Sequence, residues 1–185
     1  MNIKSRNIYL IYLLLYFSLL AGFYLNENFS LGNKLDYFQH KISVAMFEKD
    51  FMKALLSFGE EPTSHSPIFY IFFLFLKKVS FNENIARLIN LHLSLFIPYF
   101  FYLCLRLKYN FHRTNLKSLI PCIIFLSPYF RAGAIWIGSE NISLLFLIIS
   151  FYFFLKYEFD KEKNFSNIFL NVLFLACATY FRPIY

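Results

Sequence analysis

The feature that most constrains the fold of this chain is a series of long, almost uncharged apolar segments. Residues 8–25 contain no charged side chain, and a helix of that length, at about 1.5 Å per residue, crosses the hydrocarbon core of a bilayer. Hydrophobic residues make up 58% of the 185 residues, whereas soluble domains have about 45–50%. Because these residues occur in runs rather than in periodic stripes, the sequence predicts a multi-pass integral membrane protein.

Four more apolar runs follow the first. They cover residues 84–105, 116–126 (continued past Pro128), 141–155 and 167–181. The predicted fold class is therefore all-α, a polytopic membrane protein with about five transmembrane helices, and residues 1–185 form a single transmembrane domain. Pro98 predicts a kink in the second span, which membrane helices tolerate where neighbours satisfy the freed carbonyl.

The longest polar stretch, residues 27–66, holds six of the eleven acidic residues. Its apolar residues recur at helical spacing, which predicts an amphipathic helix lying on the membrane surface. Gly59 and Pro62 are expected to break this helix. The following apolar segment, 67–76, is too short to cross a bilayer and is expected to be interfacial or re-entrant.

Charge at the ends of the runs predicts the topology. The connector from Arg106 to Lys117 has four basic residues and no acid, which is typical of a cytoplasmic loop. The N-terminus is then cytoplasmic, and the polar stretch 27–66 and the segment 127–140 face outward. Because the chain ends as the fifth span ends, we expect it to be the N-terminal part of a larger protein.

The net charge of +7 predicts contacts with membrane lipids rather than with nucleic acid. The basic residues lie mostly at the ends of apolar runs, where they act as topology signals and phospholipid contacts. No basic patch has a recognisable nucleic-acid-binding motif.

Asp36 is the candidate catalytic residue. It lies early in the outward stretch, where a carboxylate near the membrane surface can act as a general base on a lipid-borne substrate. The alternative interpretation is structural, since an Asp just before a helix caps its N-terminus. The two roles are compatible, and both stay open.

Four further side chains are candidate substrate-binding residues on the outward side: His65, Arg131, Glu140 and Arg182. An arginine here can hold a phosphate in a bidentate manner, or it can be an ordinary headgroup contact. His65 can contact a phosphate or a sugar. The sequence predicts no cofactor and no metal, although Asp36 or Glu140 leaves a divalent ion conceivable.

The order of these features resembles the N-terminal part of a GT-C superfamily glycosyltransferase, in the branch of the protein O-mannosyltransferases and the bacterial lipid A aminoarabinose transferase. The resemblance rests on the early outward Asp36, on the run His65-Ser66-Pro67-Ile68-Phe69-Tyr70, on Leu126-Ser127-Pro128-Tyr129-Phe130-Arg131 with Glu140-Asn141 beyond, and on Phe181-Arg182-Pro183. The family often has Asp-Glu where this chain has Asp36 followed by Tyr37.

The resemblance implies transfer of a sugar from a polyprenyl-phosphate donor to a hydroxyl of a glycan, lipid or protein acceptor, at the outer face of a bacterial inner membrane. Asp36 would be the base. Two other classes of function remain open, a lipid or solute transporter and a non-catalytic membrane scaffold. Few charged residues lie in mid-span, which is unlike transporters with broken, charged helices.

Overall fold

The computed structural model describes residues 5–28, 32–58, 65–80, 82–110, 116–160 and 162–182, and every regular element among them is helical. In chain order the elements are α1 (Ser5–Tyr24), α2 (Gly32–Lys49), α3 (Phe51–Leu56), α4 (Pro67–Ser80), α5 (Glu83–Ser94), α6 (Phe96–Tyr109), a 3-10 helix (Leu116–Leu126), α7 (Pro128–Trp136), α8 (Ser139–Phe159) and α9 (Phe165–Phe181). The predicted all-α class is thereby confirmed.

Among the described residues, two helical stretches are long and apolar enough to cross a membrane. They are Glu83–Tyr109, which consists of α5 and α6, and Ser139–Phe159, which is α8. The 3-10 helix and α7 make a third if this pair, bent by 65°, counts as one span. Within the described residues, Ile8–Tyr24 and Phe165–Phe181 are shorter apolar helices. The structure thus gives a membrane protein with two or three candidate spans.

The span formed by α5 and α6 is interrupted at Leu95, between the two helices. Pro98 explains this position, because it has no N–H to donate to the carbonyl of Ser94, four residues earlier. Pro98 itself is buried. The kink predicted from Pro98 therefore corresponds to a break three residues before it.

The polar stretch 27–66 differs from its prediction. The single amphipathic helix is two helices, α2 and α3, and the chain breaks at Asp50 rather than first at Gly59. The carboxylate of Asp50 accepts a hydrogen bond from the backbone N–H of Lys53 and so caps α3. Asp side chains bond readily to nearby backbone N–H groups. An Asp inside an amphipathic pattern therefore favours the start of a new helix over the continuation of the first. Gly59 and Pro62 lie outside the described residues.

Two features attach α2 to the rest of the bundle. Its buried Tyr37 packs against Phe73 of α4 and Trp136 of α7, with ring centroids 5.4 and 5.7 Å apart. Two surface ion pairs, Lys41–Glu83 and Lys77–Glu48, join it to α5 and α4. The aromatic contacts bury apolar surface, whereas exposed ion pairs contribute little. Helix α2 is thus held mainly by its aromatic face.

Cross-helix contacts divide the bundle into two ends. One end, called the α2 end, is built around α2. The last turns of α1, α7 and α9 and the first turns of α4, α5 and α8 lie there as well. The opposite end gathers the start of α1, the end of α6 and the start of the 3-10 helix, where the Tyr12 hydroxyl donates to the Ser118 carbonyl at 2.9 Å. In this geometry α8 and α9 are antiparallel, with Ser143 bonded to Ala178 and Ser150 to Asn171.

Candidate functional site at the α2 end

His65 is the meeting point of three elements at the α2 end. Its Nδ1 shares a hydrogen bond of 3.0 Å with the hydroxyl of Ser139, the first residue of α8. Its ring lies edge-on to that of His40 in α2, with centroids 4.5 Å apart. His65 also precedes the N-terminus of α4, where Ser66 caps the helix by accepting from the backbone N–H of Ile68. The segment before α4 thus joins α2 to the start of α8.

Charged residues of α2 and α9 act on this pair of histidines. Burial, with the positive charge of Arg182, lowers the pKa of His65, and the negative charge of Asp36 opposes that change. Burial, with His65 beside it, lowers the pKa of His40 to about 3. Both imidazoles are therefore neutral at neutral pH, and each can act as a hydrogen-bond donor and acceptor.

Glu140 and Arg182 form an ion pair at the same place. Glu140 lies in the first turn of α8, and Arg182 is the C-terminal cap of α9. The antiparallel packing of the two helices brings these ends together. A carboxylate in the first turn of a helix is also stabilised by the helix dipole.

Four of the five predicted site residues thus belong to one group, here called the His65 cluster: Asp36, His65, Glu140 and Arg182, together with His40 and Ser139. Asp36 lies in the second turn of α2, which begins at Gly32. That position excludes the N-terminal cap as its role. Among the described residues, no three His, Cys, Asp or Glu side chains group as metal ligands.

Arg131, the fifth predicted residue, is engaged elsewhere. Its Nε and Nη2 each donate to a carboxylate oxygen of Glu27 at 2.6 Å, and Nη2 also donates to the Ser18 carbonyl at 3.0 Å. The side chains of Arg131 and Glu27 are only 13% and 9% exposed. A Cβ at Gly22 would clash with the Glu27 carboxylate, so glycine makes room for the pair in α1. The pair joins the end of α1 to α7.

Helix α7, which leads to Ser139, ends inside the protein, and side chains of α5 and α8 satisfy its carbonyls. Arg87 donates to the carbonyl of Ile135 at 3.0 Å, and Asn90 donates to those of Gly133 and Ala134 at 3.1 and 2.8 Å. These polar residues lie in a candidate span, and in a membrane every backbone group needs a protein partner. Arg87 and Asn90 lie in this span because the carbonyls at the end of α7 need hydrogen-bond donors.

The turn from α7 to α8 is conformationally unusual. Ile137 has a φ of 57° and a ψ of 60°, in the left-handed region, which a β-branched residue rarely adopts. The side chain of Ile137 is fully buried, and the backbone N–H of Gly138 bonds to the carbonyl of Gly133 at 2.8 Å. Strain of this kind persists where the surroundings fix it, often at functional sites. It sets the start of α8, and with it Ser139 and Glu140.

Sequence reasoning missed three residues that matter here. His40 follows Asp36 by four residues, a spacing that puts both on one helical face and could have been noticed. Glu27 is the first acid after an uncharged span, and its isolation was a usable signal. Ser139 gave no local signal, because its role depends on the strained turn before it.

Comparison of the chain with protein-family models, with curated proteins and with solved structures finds no match. The resemblance to glycosyltransferases therefore rests on the residues of this chain alone.

Proposed function

We propose that this chain forms part of a membrane glycosyltransferase that transfers a sugar from a polyprenyl-phosphate donor to an acceptor hydroxyl at the α2 end. The observation that carries the proposal is the His65 cluster. It combines two carboxylates, two neutral imidazoles and an arginine beside a helix N-terminus, and these groups suit acid–base chemistry next to a phosphate. Four separate parts of the sequence that suggested the resemblance each contribute one side chain to this group: Asp36, His65, Glu140 and Arg182.

In the proposed reaction Asp36 is the base. The acceptor oxygen attacks the anomeric carbon of the sugar as its proton passes to the Asp36 carboxylate. The new bond joins the acceptor oxygen to the anomeric carbon. The bond from that carbon to the donor phosphate oxygen breaks, and its electron pair stays on the phosphate. The anomeric configuration is inverted, and neither oxidant nor reductant is needed.

Arg182 is better suited than Arg131 to stabilise the departing phosphate. The guanidinium of Arg131 is neutralised by Glu27 and mostly buried, whereas the side chain of Arg182 is 43% exposed. Arg182 also lies beside the first turn of α8, whose backbone N–H groups favour an anion. The phosphate would displace the Glu140 carboxylate from Arg182. A role for Arg131 as a direct phosphate contact remains a prediction from the sequence.

We further propose five membrane spans: α1, α5 with α6, the 3-10 helix with α7, α8, and α9. This division makes the chain alternate between the two ends of the bundle. The end of α6 and the start of the 3-10 helix then lie at the opposite end, which their basic residues Arg106, Lys108 and Lys117 make cytoplasmic. The N-terminus is cytoplasmic too, and the His65 cluster faces the periplasm of a bacterial inner membrane.

The test is transfer of labelled sugar from polyprenyl-phosphate donors in membranes that contain the protein. Asp36→Asn keeps the size of the side chain and removes the base, so we expect transfer to fall at least 100-fold at equal protein level. Asp50→Asn is the matched control, because Asn can still cap α3, and transfer should stay within twofold of wild type. Arg182→Gln should lower transfer while Arg182→Lys restores part of it.

Transfer that survives Asp36→Asn would remove this carboxylate from the mechanism. If the wild-type protein transfers no sugar from any such donor, while it moves labelled lipid between leaflets of proteoliposomes, the chain is a transporter instead. An argument against the transporter is that two buried polar side chains in the span of α5 and α6, Arg87 and Asn90, bind carbonyls of α7.

A further inference from the structure

At the opposite end of the bundle, a groove of about 410 Å³ lies between α1, α6 and the 3-10 helix. Its size falls in the range of small-molecule and lipid-chain sites. Tyrosine rings supply much of its wall, from α1 and from α6. The break at Leu95 and the ring of Pro98 line it as well, so the interruption of the span contributes to its shape.

The wall of this groove is apolar even though tyrosines line it. The hydroxyl of Tyr12 donates to the Ser118 carbonyl at 2.9 Å. That carbonyl lacks its usual partner because Pro121, three residues on in a 3-10 helix, has no N–H. The hydroxyl of Tyr16 is within 3.0 Å of Nε2 of His92. With these two hydroxyls bonded to the protein, the wall offers mainly tyrosine rings and aliphatic side chains to a ligand, and such a surface suits a hydrocarbon chain.

Two lysines contact the same tyrosine ring at the end of the bundle beyond the groove. Lys108 in the last turn of α6 and Lys117 in the 3-10 helix both approach the ring of Tyr109, at 5.7 and 5.3 Å from its centroid. Lys117 directly precedes Ser118, which lines the groove. The sequences of α1, α6 and the 3-10 helix contain no acidic residue. The groove therefore combines a hydrocarbon-like wall with positive charge at one end.

We propose that this groove binds one hydrocarbon chain of an anionic phospholipid, whose phosphate lies between Lys108 and Lys117. A lipid tail fills the apolar groove, and the two ammonium groups near Tyr109 select an anionic headgroup over a zwitterionic one. The site is independent of the proposed glycosyl transfer and lies at the other end of the bundle from the His65 cluster.

A second groove in the described residues provides an internal comparison. It has a volume of about 240 Å³ and lies along α5, between Ile85 and Phe96. Its wall is also apolar, but no lysine is next in sequence to its lining residues, whereas Lys117 directly precedes Ser118 in the wall of the first groove. A groove that binds lipid only through its apolar wall should show no preference for headgroup charge.

The experiment uses the purified full chain in nanodiscs with a phosphatidylglycerol that carries a diazirine on one acyl chain, and the matching phosphatidylcholine. After illumination, crosslinked peptides are identified by mass spectrometry. We expect phosphatidylglycerol to label the peptides of Tyr9–Tyr16 and Pro98–Tyr102 in preference to phosphatidylcholine. The preference should reach roughly 10- to 30-fold, at about a factor of five for each lysine. Peptides of the second groove should show none.

The variants test whether the charge of the two lysines, rather than the fold, causes the preference for phosphatidylglycerol. Lys108→Gln with Lys117→Gln should abolish the preference, and Lys108→Arg with Lys117→Arg should restore it. Lys156→Gln, at an exposed lysine in the last turn of α8, is the matched control and should keep it. Equal labelling by the two lipids, equal labelling of the two grooves, or a preference that survives the double glutamine variant would each overturn the proposal.

Discussion

The hairpin of α8 and α9 and the segment from the 3-10 helix through α7 solve the same problem in opposite ways. Both are apolar, and both have to satisfy their backbone groups away from water. The hairpin consists of two regular helices, and its cross-helix polar contacts are few, such as Asn171 to Ser150 at 2.7 and 2.9 Å. The other segment is bent by 65° and bonds to side chains of α1, of α5 and of the turn after α1.

These partners are specific to each irregularity. The hydroxyl of Tyr12 in α1 donates to the Ser118 carbonyl, for which Pro121 has no N–H. Asn90 donates to the Ala134 carbonyl at the end of α7, and Glu27 neutralises Arg131. An irregular segment thus needs a polar neighbour for each backbone or charged group that it leaves without a partner. The irregular segment ends in the strained turn at Ile137, and this turn places Ser139 and Glu140 in the His65 cluster.

The largest effect is expected from breaking the pair of Glu27 and Arg131. Glu27→Ala leaves a buried guanidinium without its carboxylate, which costs about 3–5 kcal/mol of the free energy of unfolding. The measurement is unfolding by SDS titration in mixed micelles. Glu48→Ala is the control, because it breaks an exposed ion pair with Lys77 and should cost less than about 1 kcal/mol.

The same pair offers a second check of whether the cost is electrostatic. If it is, Glu27→Leu combined with Arg131→Met should recover much of the stability, since apolar side chains can replace a buried pair. A double variant as unstable as Glu27→Ala would show instead that the end of α1 tolerates no change in packing.

A smaller effect is expected from Asn90→Ala. It leaves the Ala134 carbonyl unpaired, whereas Gly133 keeps the backbone N–H of Gly138. An unsatisfied buried carbonyl costs about 1–3 kcal/mol. In the regular hairpin, Asn171→Ala removes bonds that average about 0.6 kcal/mol in membrane proteins. Unfolding free energies of the two variants, measured side by side, test the contrast, and an equal or larger loss for Asn171→Ala would break it.

The regular half of the molecule was predictable from the sequence, and the irregular half was not. Long apolar runs gave α8 and α9 within a few residues, since a helix is the only open structure that satisfies its own backbone in lipid. The run over 116–126 looked like the start of one more span. Pro121 and Pro128 were both visible, but the bend depends on Tyr12, Asn90 and Glu27, which are distant in sequence.

The candidate site divides in the same way. Asp36, His65, Glu140 and Arg182 were chosen as polar residues next to apolar segments, and the structure brings them together because the elements that hold them end on one side of the bundle. Arg131 was chosen on the same ground and is paired with Glu27. Sequence position alone does not distinguish an arginine with an intramolecular partner from one that is available to a ligand.

The smallest expected effect concerns the contact between α2 and the start of α8, which is made through His40, His65 and Ser139. The pKa of His40 in the folded protein is about 3, below the usual 6.5 of an unfolded chain. Between these values the unfolded state binds more protons, so stability is fully present above pH 6.5 and falls as the pH falls. For one such group the loss at pH 5.5 is about 1.4 kcal/mol.

His40→Phe should remove this part of the pH dependence. Phenylalanine keeps the ring contacts with Phe69 and Tyr70 and cannot be protonated. The free energy of unfolding is measured in micelles from pH 8 to pH 5. His92→Phe, at an exposed histidine of α5, should keep the wild-type drop. The lowered pKa of His65 leaves a residual drop in His40→Phe, and a drop as large as that of the wild type would mean that α2 is not held to α8 through a neutral histidine pair.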